Sequence, residues 1–313
     1  MRTESSRIMS QPPVIEAVVM GRVGIDLYPN ELRAALREIR SYTRFVGGFA
    51  GNVSTGLARL GVRTAIVSRV GDDGHGLFVR DFLDREGVDT RFLAVDEYWL
   101  TPPTFCEIWP PDHFPITFYR RPTAPDWQLQ PHDFDADEVA ASRVLFATGT
   151  GLAQSPSRET TRDALAAHGG TTVFDLDWRP TLWNDAGAYR EVVQEAVALA
   201  DVVIGNADEV AVAGGVDELL ALMPSLILKR GEHGAVLYSD GEVVDVPGLP
   251  VDVVNGLGAG DAFAAAVGYA IVRGRGLREG VRLANVAGAH VAQQVPCSEA
   301  MPTLDDLTRV EVP

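Results

Sequence analysis

The chain has 313 residues, enough to bury a large core, and its 46% hydrophobic and 22% charged content is that of a globular protein rather than a disordered one. A formal net charge of −16 repels nucleic acid and anionic membranes, so no nucleic acid and no membrane is expected as a partner. Two cysteines, Cys106 and Cys297, are too few for a disulfide framework and have no metal-site spacing.

Residues 1–13 are polar and lack the apolar core of a signal peptide, and they read as a flexible segment ahead of one domain over 14–308. Apolar runs of strand length follow at 14–20, 63–69, 144–148, 171–175, 202–205 and 226–229. Helical periodicity lies between them, over 52–60, 76–86, 157–168 and 189–200. Strands alternating with helices predict an α/β fold with a mostly parallel sheet covered on both faces, where ligands gather beyond the carboxyl ends of the strands. One stretch breaks the alternation. Residues 104–109 and 116–121 read as two strands joined by a turn rich in proline (Pro110, Pro111, Pro115). With neighbours from about 27–46 they predict a small β lid or dimer contact spanning about 103–121. No stretch approaches the roughly 20 apolar residues that cross a bilayer, and the whole pattern reads as a cytoplasmic protein.

The clearest chemical signal is Asn255-Gly256-Leu257-Gly258-Ala259-Gly260-Asp261, followed at once by the helical run 262–272. Glycines strip side chains from the backbone just where a helix begins, and the exposed amides with the helix dipole form an anion site. Asp261 at its mouth can cap the helix, or it can accept the proton of a hydroxyl that attacks a phosphoryl group. The pattern is not a Walker loop, since Gly-x-x-x-x-Gly-Lys-Ser/Thr occurs nowhere in the chain. A second glycine turn, Gly47-Gly48-Phe49-Ala50-Gly51-Asn52, lets backbone approach a ligand. Asn52 there offers a donor and an acceptor to a pair of hydroxyls, or it caps the helix that follows.

Together these segments resemble the two signatures of the ribokinase-like, or PfkB, carbohydrate kinases. Asp26 in Gly24-Ile25-Asp26, Asn206-Ala207-Asp208-Glu209, and Lys229-Arg230-Gly231-Glu232-His233-Gly234 fall in the matching order. The resemblance implies a three-layer α/β/α fold with a small β lid, and ATP with Mg²⁺ as cofactors. It implies Asp261 as general base, the amides of Gly258, Ala259 and Gly260 as the cradle for the transferred phosphoryl group, and Asp26, Gly47, Gly48 and Asn52 around the sugar. Glu209 would organise the magnesium shell through water, while Asn206, Lys229, Gly231, Gly234 and Asn285 would lie along the nucleotide. A monovalent cation is a further candidate. The family's late signature opens Asp-Thr or Asp-Ser where this chain has Asn255-Gly256, so potassium dependence does not carry over unchanged.

Two arginines bear on the substrate. Arg120 in Tyr119-Arg120-Arg121 ends a lid strand, and Arg179 in Asp177-Trp178-Arg179 follows a core strand. On residue type alone both suit surface ion pairs, although a guanidinium fork also pairs with a carboxylate. The sugar-acid kinases of the family are similar at both places, which implies a substrate carboxylate held by Arg120 and Arg179. The stretches 44–48, 149–159 and Cys297-Ser298-Glu299-Ala300-Met301-Pro302 are similar to the branch that phosphorylates 5-dehydro-2-deoxygluconate in myo-inositol breakdown. The isomeric 2-dehydro-3-deoxygluconate is the alternative acceptor, ahead of a neutral sugar, a nucleoside or a binding protein without catalysis. Relatives also pair into dimers through the lid, so a homodimer is a candidate assembly.

Overall fold

A computed structural model describes residues 14–309; the segment 1–13, expected to be flexible, lies outside the described residues. In chain order the strands are β1 (Ala17–Met20), β2 (Gly24–Pro29), β3 (Tyr42–Gly47), β4 (Thr64–Gly71), β5 (Leu93–Asp96), β6 (Pro103–Cys106) and β7 (Ile116–Phe118). They continue as β8 (Val144–Thr148), β9 (Thr171–Asp175), β10 (Val202–Asn206), β11 (Ser225–Lys229), β12 (Ala235–Ser239) and β13 (Glu242–Val246). Nine form one sheet in the order β13-β12-β11-β10-β9-β8-β1-β4-β5. Its pairs are parallel from β11 to β5 and antiparallel at β11–β12 and β12–β13. The β12–β13 connection turns on Asp240 (φ 54°) and Gly241 (φ 77°), the two left-handed residues that a tight hairpin requires.

The inner strands are apolar on both faces because both are covered. In β1, Ala17 and Val19 join one buried cluster while Val18 and Met20 join another, and β8 divides the same way between Val144 and Phe146 on one side and Leu145 and Ala147 on the other. Helices Phe49–Arg59, Ala259–Val272 and Leu277–Ala292 pack on the first face. Helices Ser157–Ala167 and Ala186–Val197 pack on the second, completing the three layers. Among the described residues no helix is long and apolar enough to cross a membrane.

Because β11, β10, β9, β8 and β1 are parallel neighbours, their carboxyl ends emerge side by side. Lys229 ends β11, Asn206 ends β10, Asp175 ends β9, and Arg22 follows β1. The second sheet, β3-β2-β6-β7, stands beyond these ends. Strand alternation gives it two unlike faces. Asp26, Tyr28, Thr104, Cys106, Ile116 and Phe118 point inward to a cavity. Tyr42, Phe105 and Tyr119 stack on the other face with ring centroids 5.2 Å apart in each pair, and Tyr119 is 57% exposed.

Candidate active site

The helix Ala259–Val272 starts three residues earlier than its apolar periodicity predicts, because its first turn is made of glycine and alanine that periodicity cannot weigh. Gly258 precedes it at φ 82°, a left-handed conformation that turns the chain sharply into the helix. A Cβ on Gly258 would run into Cys297. The amides of Gly258, Gly260 and Asp261 make no backbone hydrogen bond among the described residues, whereas Ala259 N–H turns back to the Gly256 carbonyl at 3.4 Å. Three unspent donors at a helix start are suited to an anion.

Asp261 does not cap this helix. Its Oδ2 accepts from Asn52 Nδ2 at 2.6 Å, across 209 residues of chain, and both line the cavity. Burial pushes the Asp261 carboxyl above its ordinary range and the Asn52 hydrogen bond only partly offsets this. Asn52 Oδ1 is buried and has no partner, so an acceptor remains beside the carboxylate. A hydroxyl entering here meets a base and an acceptor together.

Across the cavity stands Asp26, whose carboxyl burial pushes up to about 6. Tyr28 OH donates to its Oδ2 at 3.5 Å and Cys297 Sγ lies 3.6 Å from the same atom. Gly47 is glycine because a Cβ there would occupy the Asp26 carboxylate, and Gly48 (φ 87°) because a Cβ would strike the Arg22 carbonyl. On the third wall Arg179 Nη2 lies 3.0 Å from Asp177 Oδ1, and Asp177 raises the Arg179 pKa further.

At the carboxyl ends of β11 and β9, Lys229 Nζ lies 3.2 Å from Asp175 Oδ2 and 3.9 Å from Glu209 Oε2. Burial opposes the Lys229 charge, but Asp175 and Glu209 outweigh it and raise its pKa. A Cβ on Gly260 would lie 3.4 Å from this ammonium, so the cation stands over the glycine turn. Asn206 and Glu209 form a reciprocal cap: Glu209 N–H donates to Asn206 Oδ1 at 2.9 Å and Asn206 N–H to Glu209 Oε2 at 2.7 Å. Asn285 Nδ2 donates to the Pro247 carbonyl at 2.9 Å, and Gly234 packs against Val246–Gly248 at φ 82°, while Gly231 faces open space. Asn285 and Gly234 shape the chain at the end of β13, and none of these three lines the cavity.

A buried carboxyl, a helix-start turn with free amides and a lysine above it, and a polar cavity under a small sheet are parts that phosphoryl transfer can use. A family model for the pfkB family carbohydrate kinases matches residues 14–304. The chain belongs to that family. The pfkB chain is 34% identical over 307 residues to the 5-dehydro-2-deoxygluconokinase of Shouchella clausii, covering 93% of this chain and 94% of the relative. It superposes with a TM-score of 0.83 at 27% identity on a sugar kinase from Pyrococcus horikoshii solved in complex with ATP, covering 94% and 98% of the two chains. The Vibrio cholerae fructokinase solved with fructose, ADP and a calcium ion gives the same TM-score and identity, covering 95% and 99%. The chain is therefore an ATP-dependent carbohydrate kinase.

In this pfkB kinase the structure brings Asp26, Gly48, Asn52, Arg179, Gly258 and Asp261 to one cavity. Arg120 stands elsewhere. It is 3% exposed, paired with Asp126, and stacked 4.3 Å above the Trp127 ring, and it is not among the cavity's lining residues. Burial lowers its pKa. Sequence reading passed over Arg22, Tyr28 and Asp175. The readable signal was a charge closing an apolar run, as Arg22 does just after β1 and Asp175 at the end of β9.

Proposed function

We propose that this kinase transfers the γ-phosphoryl group of ATP to the terminal hydroxyl of 5-dehydro-2-deoxy-D-gluconate, a step of myo-inositol breakdown. Asp261 takes the hydroxyl proton while the new oxygen–phosphorus bond forms. The bond from the γ-phosphorus to the bridging oxygen breaks and ADP leaves with that electron pair. The amides of Gly258, Gly260 and Asp261, with Lys229, stabilise the charge on the transferred group. Asp26 and Asn52 hold the sugar hydroxyls, and Arg179 holds the carboxylate.

The observation that carries the acid over a neutral sugar is Arg179 in the cavity wall of a chain whose net charge is −16. The relative's name supports the same substrate. Magnesium fits as a partner of the phosphates: among the described residues no three metal-ligating side chains cluster, so Glu209 and Asp175 would act on its water shell, and the metal would neutralise phosphate charge. Asn255 is fully buried, donates to the Val295 carbonyl at 2.7 Å and accepts from Leu257 N–H at 3.1 Å. A neutral amide thus ties this loop, and a monovalent cation remains a candidate whose effect an assay with and without potassium reads. Pairing of two chains through the exposed aromatic face of the lid belongs to the same reading, and light scattering reads it directly.

The test is ATP consumption against 5-dehydro-2-deoxygluconate, 2-dehydro-3-deoxygluconate, ribose, fructose and adenosine. The proposal expects the first to give the highest kcat/KM. A preference for the second moves the assignment to the isomer, and a preference for fructose or adenosine overturns the sugar-acid reading.

A further inference from the structure

Arg22 carries a guanidinium whose donors are not used. The residue is 9% exposed, it lines the cavity, and its Nε is buried without a partner. Its one ion pair, Nη2 to Asp177 Oδ2, is 3.7 Å long, beyond hydrogen-bond reach. A guanidinium has five N–H donors, and burying them unspent is costly unless something arrives to use them. Arg120 differs in its partner rather than in its Nε, which is likewise buried and unpartnered: its Nη2 is paired with Asp126 behind the wall.

The backbone around Arg22 is fixed on both sides. Its carbonyl accepts from Ala50 N–H at 3.0 Å, and the next amide, Val23, donates to Asp126 Oδ2 at 3.0 Å. The side chain lies 5.1 Å above the Phe118 ring of the lid. Asp177 is shared. Its Oδ1 faces Arg179, its Oδ2 faces Arg22 and accepts from Thr150 Oγ1 at 2.6 Å, and its own backbone is held at φ 37°. One carboxylate is therefore set between two guanidinium groups, and Asp26 and Asp261 are the other charged side chains that line the cavity. A second carboxylate from solution meets two forks already aimed by the first.

Resting on the sugar-acid reading above, we propose that Arg22 is the buried arm of the substrate-carboxylate clamp, acting with Arg179 and organised by Asp177. Arg22 is then a specificity-determining residue, and the carboxylate of the substrate points toward the carboxyl ends of β1 and β9. The competing role is a plain counterion for Asp26 and Asp261, the acidic side chains that share this cavity.

The experiment compares wild type, Arg22→Gln and Arg22→Lys on 5-dehydro-2-deoxygluconate and on fructose, which offers the same hydroxyketone end without a carboxylate. The clamp expects the acid-to-fructose ratio of kcat/KM to fall at least about tenfold in Arg22→Gln, mainly through KM for the acid. Arg22→Lys should recover part of the loss, because it restores charge but not the fork. If both substrates weaken together and the acid limb of the pH profile moves instead, Arg22 is a counterion and the clamp is overturned. If wild type itself prefers fructose, the sugar-acid reading fails first and the clamp falls with it. If wild type prefers the acid and Arg22→Gln keeps that preference, the clamp alone fails.

Discussion

Asp26 and Asp261 are two carboxyl groups in one cavity, and burial raises both, Asp26 to about 6. Each also raises the cost of ionising the other, since like charges share a poorly solvated space. A general base works only in its ionised form, so protonation as pH falls removes activity. Because the folded-state values are raised, that loss begins at a higher pH than for an exposed aspartate. The expected outcome is a kcat/KM profile that is flat above neutrality and falls on an acid limb to which Asp26, raised to about 6, and the likewise raised Asp261 both contribute. A profile still flat at about pH 5 would contradict the buried-carboxylate account. The limb belongs to the pair rather than to either residue, so Asp26→Asn should shift it to lower pH while leaving a limb from Asp261.

At the scale of elements, the glycine turn and its helix act as one device. Gly258 has φ 82° and no room for a Cβ beside Cys297, so Gly258→Ala must move either the turn or the segment carrying Cys297. The left-handed backbone costs a non-glycine residue about 1 kcal/mol or more, and the collision adds to it. The amides of the turn then leave their places, and kcat should fall by about 10²-fold, the scale of a lost oxyanion donor. Steady-state kinetics with a thermal melt checks this; normal kcat with normal stability would remove the turn from the mechanism. The same turn shows what sequence makes legible. Its glycines and Asp261 stand out because a bare backbone before a helix is rare without a ligand to hold. The buried strands are equally plain, since parallel strands covered on both faces read as unbroken apolar runs. The charge that closes the β1 run is the one signal Arg22 gives, and it is weak, because one cation after an apolar strand also looks like a solvated loop residue. Only the strand order, which sequence does not carry, sets β1 near β9 and so Arg22 beside Asp177. The place of Arg120 is unreadable for the same reason: its pairing with Asp126 depends on how the segment after the lid folds back.

At the scale of the whole molecule, the site exists only when distant parts of the chain meet. Asn52 and Asp261 are joined across 209 residues, Cys297 and Asp26 across 271, and the Phe114 ring of the lid turn lies against the position of Gly256. The net charge of −16 repels ATP, and on the proposed function it repels the acid acceptor too, so that reading assigns their attraction to the local cations Lys229, Arg179 and Arg22. On the proposed mechanism this assembly serves one event, removal of a proton from an alcohol by Asp261 as the phosphoryl group arrives. The most direct measurement is single-turnover phosphoryl transfer from γ-labelled ATP in wild type and Asp261→Asn, with ATP binding followed in parallel. The account predicts retained ATP binding and a transfer rate lower by roughly 10²–10⁴-fold. A transfer rate close to wild type in Asp261→Asn would contradict it.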